Sequence, residues 1–303
     1  MEPAIAFVAK PPLEYRGAFL DHFRVLHKSE HTVNSYASDL EHLVAFTSHG
    51  NLTYQDAQRY VAHLSQQGLS PISIRRNISA CRSFYSYLTR QGVVSHNPFT
   101  DVDLPKAASK LPDVPATEII TSCLEAIADT SPLDLRDKAL ISLLFGSGAR
   151  ISEAISLRLE DLNLRVREIK VMGKGQKERL LILTQAATRL LQRYLDEGRP
   201  RLVTMPSDVL FLGERGTDLS VRGARFIVSK RFDHVAASVH PHALRHAYAT
   251  ALLDRGGDLK DVSSLLGHSS LHVTGRYVHV SMGRLHRVVD QAFQDETDHE
   301  ERT

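Results

Sequence analysis

Apolar residues in the first hundred positions recur at helical spacing, and the breaks between runs carry residues that start or stop helices: Ser29, Thr53 and Ser70 as starts, Gly92 as a stop. In the last run Ile74, Ile78, Cys81, Tyr85 and Leu88 share one helical face, and Pro71 suits the first helical position. Arg75, Arg76, Arg82 and Arg90 fall on the other half of the wheel, where they are candidates for phosphate or groove contacts. A charged outer face is also what any amphipathic surface helix carries. The pattern predicts a small helical domain over residues 10–98.

Between Asn97 and Pro115 the periodicity lapses and Pro98, Pro105, Pro112 and Pro115 gather with Lys106 and Lys110, the composition of an exposed linker, assigned to residues 99–115. A second domain is expected over residues 116–294. It opens with helical runs to Phe145, a Gly-Ser-Gly turn at Gly146–Gly148 and another helix. A short hairpin follows, in which Ile169 and Val171 alternate with polar neighbours, Gly173–Gln176 turn, and Leu180–Leu183 return as a more continuous apolar strand. Helical patterns then resume. In the last of them Arg284, Leu285, Val288, Val289 and Phe293 lie near one face, fit to dock into an apolar groove of this chain or of a neighbouring copy. The fold class is mainly α, in two domains, with a small antiparallel β-sheet in the second.

A chain of 303 residues suits two domains that each bury a core. No run of eighteen apolar residues appears, and no basic stretch leads into an apolar one at the N-terminus, so neither a membrane span nor a signal peptide is expected and the expected location is cytoplasmic. Cys81 and Cys123 fall far apart within helical patterns, as buried thiols in a reducing compartment would. The net charge of +2 understates the basicity of the body. Residues 295–303 hold five acidic side chains against Arg302, a local −4, which leaves about +6 on residues 1–294. That surplus permits phosphate contacts without requiring them.

Singly, the candidate chemical residues are ambiguous. Arg150 after a glycine-rich turn reads as a cap or as an ion-pair partner of Glu153, and Lys174 between two glycines as solvent-facing turn decoration. His242 and His246, at i and i+4, could share an ion with His240. Against that, no acidic or cysteine ligand is obvious, no Glu follows His242, and Arg245 stands between the histidines, so no metal is assigned. A tyrosine such as Tyr277 is ordinarily a core or surface residue.

Their order changes the reading. GARISEAISL from Gly148 to Leu157, GKGQKER from Gly173 to Arg179, HPHALRH from His240 to His246, LLGHSS from Leu265 to Ser270 and TGRYVH from Thr274 to His279 follow one another in a single succession. Together they closely resemble the tyrosine recombinase family, most nearly its Xer branch, over most of residues 117–285. Thr32, Tyr36, Asp39 and Leu40, followed by the Ser70–Leu88 helix, resemble more weakly that family's helical core-binding module. The sequence departs from its relatives at Gly275 and Arg276, where polar and aliphatic residues are usual, and in its acidic end after Phe293.

The resemblance implies a two-domain clamp around DNA and a site-specific recombinase that acts through a 3′-phosphotyrosyl link and a Holliday junction. It implies that Arg150, Lys174, His242, Arg245 and His268 surround the scissile phosphate, that Tyr277 is the nucleophile, and that Glu153 orients the site from behind. No cofactor is implied, because a phosphotyrosyl bond conserves the energy of the bond it replaces. The implied partners are a double-stranded recombination site, a homotetramer or a heterotetramer with a related recombinase on DNA, and a cell-division regulator. Only about ten residues precede the first helical pattern, so no arm-binding domain is expected and a role in resolving chromosome or plasmid dimers is favoured. Two rival readings are a type IB topoisomerase-like relaxing enzyme and a DNA-binding accessory protein without catalysis.

Overall fold

The computed structural model describes residues 11–26, 30–47, 51–106, 114–172, 178–235, 239–266 and 282–294. The chain forms two compact units, Met1–Lys110 and Leu111–Thr303. In the first, a short helical turn precedes α1 (Arg16–Val25), α2 (Glu30–Phe46), α3 (Tyr54–Gln66) and α4 (Pro71–Arg90). Two of the starts read from sequence are formed by caps. Thr53 Oγ1 accepts the Asp56 N–H while Asp56 accepts the Thr53 N–H, and Ser70 Oγ accepts the Ser73 N–H ahead of Pro71. The start at Ser29 lies outside the described residues. Gly92 takes the left-handed conformation that closes α4.

The predicted stripe of α4 is the spine of this unit: Ile74, Ile78, Cys81, Tyr85 and Leu88 are all buried, packed with Phe19, Leu40, Leu43, Tyr60 and Leu64. Phe99 and Val102, read as linker, are buried in the same core. The outer arginines are not equivalent. Arg75, Arg76 and Arg90 are exposed, whereas Arg82 is half-buried and donates Nε to the Phe99 carbonyl at 2.9 Å, tying the 97–101 turn to α4.

The second unit is organised around α6 (Pro132–Ser147), which follows α5 (Thr117–Ala126) and is buried from Leu140 to Ser147 on every side. A helix covered all round shows no polar stripe. The expected Gly-Ser-Gly turn is corrected here: Gly146 and Ser147 belong to α6, and only Gly148 turns, at φ 62°. Gly146 is a packing glycine. A Cβ there would lie 2.6 Å from Thr184 Oγ1 and 2.7 Å from the Ala187 side chain. Gly146→Val is therefore expected to lower stability by about 3 kcal/mol, the upper range for overpacking, read as a fall in the midpoint of thermal unfolding.

After α7 (Ile151–Ser156) comes a three-stranded antiparallel sheet, β1 (Leu162–Asn163), β2 (Glu168–Met172) and β3 (Glu178–Ile182), in the order β1-β2-β3. The first strand was not anticipated. Ile169 faces Leu181 and Val171 faces Arg179, so alternation puts these four side chains on the inward face of the sheet. The expected turn at Gly173–Gln176 lies outside the described residues. The chain continues through α8 (Gln185–Arg193), α9 (Arg199–Leu202), α10 (Val221–Phe232), α11 (Pro241–Asp254), α12 (Leu259–Leu266) and α13 (Met282–Ala292).

The last helix docks on its own unit. Leu285, Val289 and Phe293 are buried, and the Phe293 ring stacks on Tyr248 and meets Phe145 edge-on. Arg167 forks onto Asp290 at 2.5 and 2.8 Å, Arg284 onto Asp261, and His286 meets Glu168 at 3.1 Å.

Candidate active site

Three segments distant in sequence meet behind Gly148. This glycine needs its identity twice over: its φ is left-handed, and a Cβ would stand 2.5 Å from the Tyr248 ring and 3.0 Å from Leu266. The tight approach lets Arg245, on α11 and 4% exposed, donate to the Gly148 carbonyl and to the Leu266 carbonyl at 2.5 Å. One guanidinium thus joins the α6–α7 turn, α11 and the end of α12. Two of its five N–H donors are spent on carbonyls.

Arg150 follows that turn and begins α7. Glu153, one turn on and buried, accepts from the Arg150 N–H at 2.8 Å and from its guanidinium at 2.9 Å. The cap-and-pair reading of Arg150 is therefore correct as geometry, and it leaves 42% of the side chain exposed. Glu153 also accepts from Arg179 at 2.9 Å. Arg179 closes the GKGQKER segment, in which motif resemblance gives a role to Lys174 alone. The signal for Arg179 was the strand alternation, since counting back by two from Leu181 puts it on the buried face.

The guanidiniums of Arg150 and Arg179 thus pair with one carboxylate, and that of Arg245 lies within electrostatic range of all three groups. Burial first, and then the Arg150 charge, draws Arg245 down to about 10, still a cation at neutral pH. Burial also lowers Arg179, with Glu153 opposing the shift and Arg150 adding to it.

His242 is exposed on the first turn of α11, with its ring edge-on to His246 at 4.5 Å between centroids. His240 caps the helix, its Nδ1 accepting the Ala243 N–H at 3.0 Å. Among the described residues no three His, Cys, Asp or Glu side chains group so as to hold an ion. Partial desolvation of the ring, then His246, Arg245, His240 and Arg150, hold the His242 imidazole below its ordinary value of 6.5, so it stays neutral to lower pH than a free histidine. If neutral His242 is the base, the acid limb of second-order DNA cleavage has its midpoint below 6.5. His242→Ala should remove that limb and slow cleavage by about 10²–10⁴-fold; an unchanged pH–rate profile would discard the assignment.

Lys174, His268 and Tyr277 lie outside the described residues. The second unit contains three tyrosines, and the two among the described residues are sealed in the core. Tyr194 is buried with its hydroxyl donating to the Leu210 carbonyl, and Tyr248 is buried with no hydrogen-bond partner for its hydroxyl among the described residues. Neither phenol can reach a polymer outside the core.

Comparison with known proteins places the chain in a family. The family model described as "Phage integrase family" matches residues 117–284, and "Phage integrase, N-terminal SAM-like domain" matches residues 18–92. Tyrosine recombinase XerC of Oceanobacillus iheyensis is 39% identical over 283 residues, spanning 89% of this chain and 93% of that one. Tyrosine recombinase XerD of Listeria monocytogenes is 35% identical over 283 residues, spanning 89% and 95%. Two solved structures share the fold. One is XerH site-specific recombinase bound to palindromic difH substrate (TM-score 0.72, 20% identity, covering 100% of this chain and 98% of that one). The other is Tn1549 transposon integrase in complex with circular intermediate DNA (TM-score 0.71, 19% identity, covering 92% and 98%). Motif order, fold and sequence identity converge: the chain belongs to the phage integrase family of tyrosine recombinases, in its Xer branch.

Proposed function

We propose that this recombinase cuts one DNA strand by attack of the Tyr277 phenolic oxygen on a backbone phosphorus. The bond to the 5′-oxygen breaks, leaving a 3′-phosphotyrosyl link and a free 5′-hydroxyl. A 5′-hydroxyl from the partner duplex then reverses the step, and two rounds pass through a Holliday junction. His242 accepts the phenol proton, Lys174 returns a proton to the departing oxygen, and His268 hydrogen-bonds a phosphate oxygen. Arg150 and Arg245 hold the two nonbridging oxygens, where negative charge grows during attack.

The observation that carries this reading is the surplus of charge at the site: three guanidiniums against the single carboxylate of Glu153. Crowded like charges withdrawn from water are unfavourable alone and become favourable when an anion is placed among them. A phosphodiester supplies that anion, and its geometry suits forked donors.

The reading extends to partners. The outer face of α4, with Arg75, Arg76 and Arg90, tracks the duplex, and Arg82 supports it from behind. Four protomers assemble on two double-stranded sites, as a homotetramer or together with a related recombinase. Similarity to relatives named both XerC and XerD keeps the two arrangements open. The biological task is resolution of chromosome or plasmid dimers in the cytoplasm, under a cell-division regulator. Among the described residues no helix is long and apolar enough to cross a membrane.

The test starts from DNA recovered by the protein's own footprint on chromosomal fragments. Incubation with a nicked version of that site should trap a covalent adduct whose peptide maps to Tyr277, and paired sites should recombine. An adduct on another residue would overturn the assignment. Relaxation of a single supercoiled circle without recombination would favour a topoisomerase, and binding without any adduct an accessory protein.

A further inference from the structure

We infer that Arg179 is a positioning residue of the cleavage reaction: by sharing Glu153 it fixes that carboxylate against Arg150 while leaving the positive charge of Arg150 free for the phosphate. The inference rests on the proposed role of Arg150. Glu153 has work for both oxygens. Oε1 takes the Arg150 guanidinium at 2.9 Å, and Oε2 takes the Arg150 N–H at 2.8 Å and Arg179 at 2.9 Å.

The carboxylate is useful as an orienting group, because it locks Arg150 from two sides at the start of α7. It is harmful as a charge. A buried Glu153 paired with Arg150 alone would form a neutral couple, and the phosphate would meet a guanidinium already compensated. Arg179 removes the conflict. With it present, the cluster of Arg150, Arg179, Arg245 and Glu153 carries a net +2.

Position separates Arg179 from the groups that meet substrate. Its side chain is 16% exposed against 42% for Arg150, and it comes from the inward face of β3 with its head turned to Glu153. It therefore acts through Glu153.

The experiment measures single-turnover adduct formation on nicked site DNA by the full-length chain. Arg179→Met should slow the reaction by about 10- to 10²-fold, the range for losing an outer-shell partner, with half-site binding within a few fold. The decisive arm adds Glu153→Gln to that variant. Glutamine keeps the shape and an acceptor oxygen for Arg150 but removes the charge, and the pair Arg150 and Arg245 again totals +2. The double variant should recover at least about fivefold over Arg179→Met, whereas a merely structural network would lose further ground with a second buried change.

A site carrying a methylphosphonate at the scissile position, which lacks the nonbridging charge, should shrink the Arg179→Met defect to within a few fold of wild type. If Arg179→Met does not fold, Arg179→Lys keeps the charge and should cleave within about fivefold of wild type. No recovery in the double variant, an equal defect on the methylphosphonate, or a loss of about 10²-fold in a folded Arg179→Lys chain would each overturn the inference while the wild-type adduct at Tyr277 stands. A wild-type adduct that is absent or maps elsewhere overturns the site assignment, and the inference with it.

Discussion

Replacing Tyr277 with phenylalanine is expected to abolish the covalent DNA adduct while leaving binding to a half-site within a few fold. The substitution deletes one oxygen and keeps the ring, so only the proposed nucleophile is lost. The expectation is sharpened by the rest of the second unit. Tyr194 and Tyr248 are buried to 0% exposure, and the Tyr194 hydroxyl is engaged with the Leu210 carbonyl, so neither can stand in for the missing phenol. Burial and the apolar surroundings also push the Tyr248 phenol well above its ordinary range, which disfavours the phenolate a nucleophile must approach. Denaturing gel electrophoresis on nicked site DNA reads the result directly. Adduct persisting in the Tyr277→Phe chain would move the nucleophile to another residue and remove the central assignment.

The features that could be read from sequence were those decided within a few residues. The caps at Thr53 and Ser70 are local hydrogen bonds, and the α4 stripe is set by spacing along one helix, so both appear in the structure as expected. Features decided between elements were harder. Gly146 looked like turn chemistry because a glycine inside a helix is ordinarily unfavourable, and only the approach of Thr184 and Ala187 explains it. Arg82 looked like its outward-facing neighbours until the Phe99 carbonyl claimed it. Phe99 itself sat in a proline-bearing stretch that packs back on the first unit instead of spanning freely. Arg150, Glu153, His242 and Arg245 are candidates through motif order, whose information is collective. The tie from Arg179 to Glu153, 26 residues apart, required the register of β2 against β3.

Arg245→Ala and Arg150→Ala are both expected to slow cleavage by at least about 10²-fold, the scale of removing one preorganised donor to a developing charge. They should differ in stability, and the difference tests the geometry independently of chemistry. Arg245 is 4% exposed and serves the Gly148 and Leu266 carbonyls, so alanine leaves two acceptors without their donor at the junction of the α6–α7 turn, α11 and α12. Each buried acceptor left unsatisfied costs about 1–3 kcal/mol, enough to lower the unfolding midpoint by several degrees. Arg150 is 42% exposed, and among the described residues its side chain serves Glu153, which keeps Arg179 and the residue-150 N–H after substitution. Its alanine variant should unfold near the wild-type temperature. Lysine at position 245 separates charge from shape. It restores the positive charge, but its three donors on a single nitrogen cannot span two carbonyls and also present a fork to phosphate, so Arg245→Lys should remain closer to alanine than to wild type in rate. If Arg245→Lys cleaves at nearly the wild-type rate, the forked clamp is wrong and the residue acts as a point charge. If Arg150→Ala destabilises the fold as much as Arg245→Ala, the division between an exposed phosphate ligand and a buried, doubly anchored one fails.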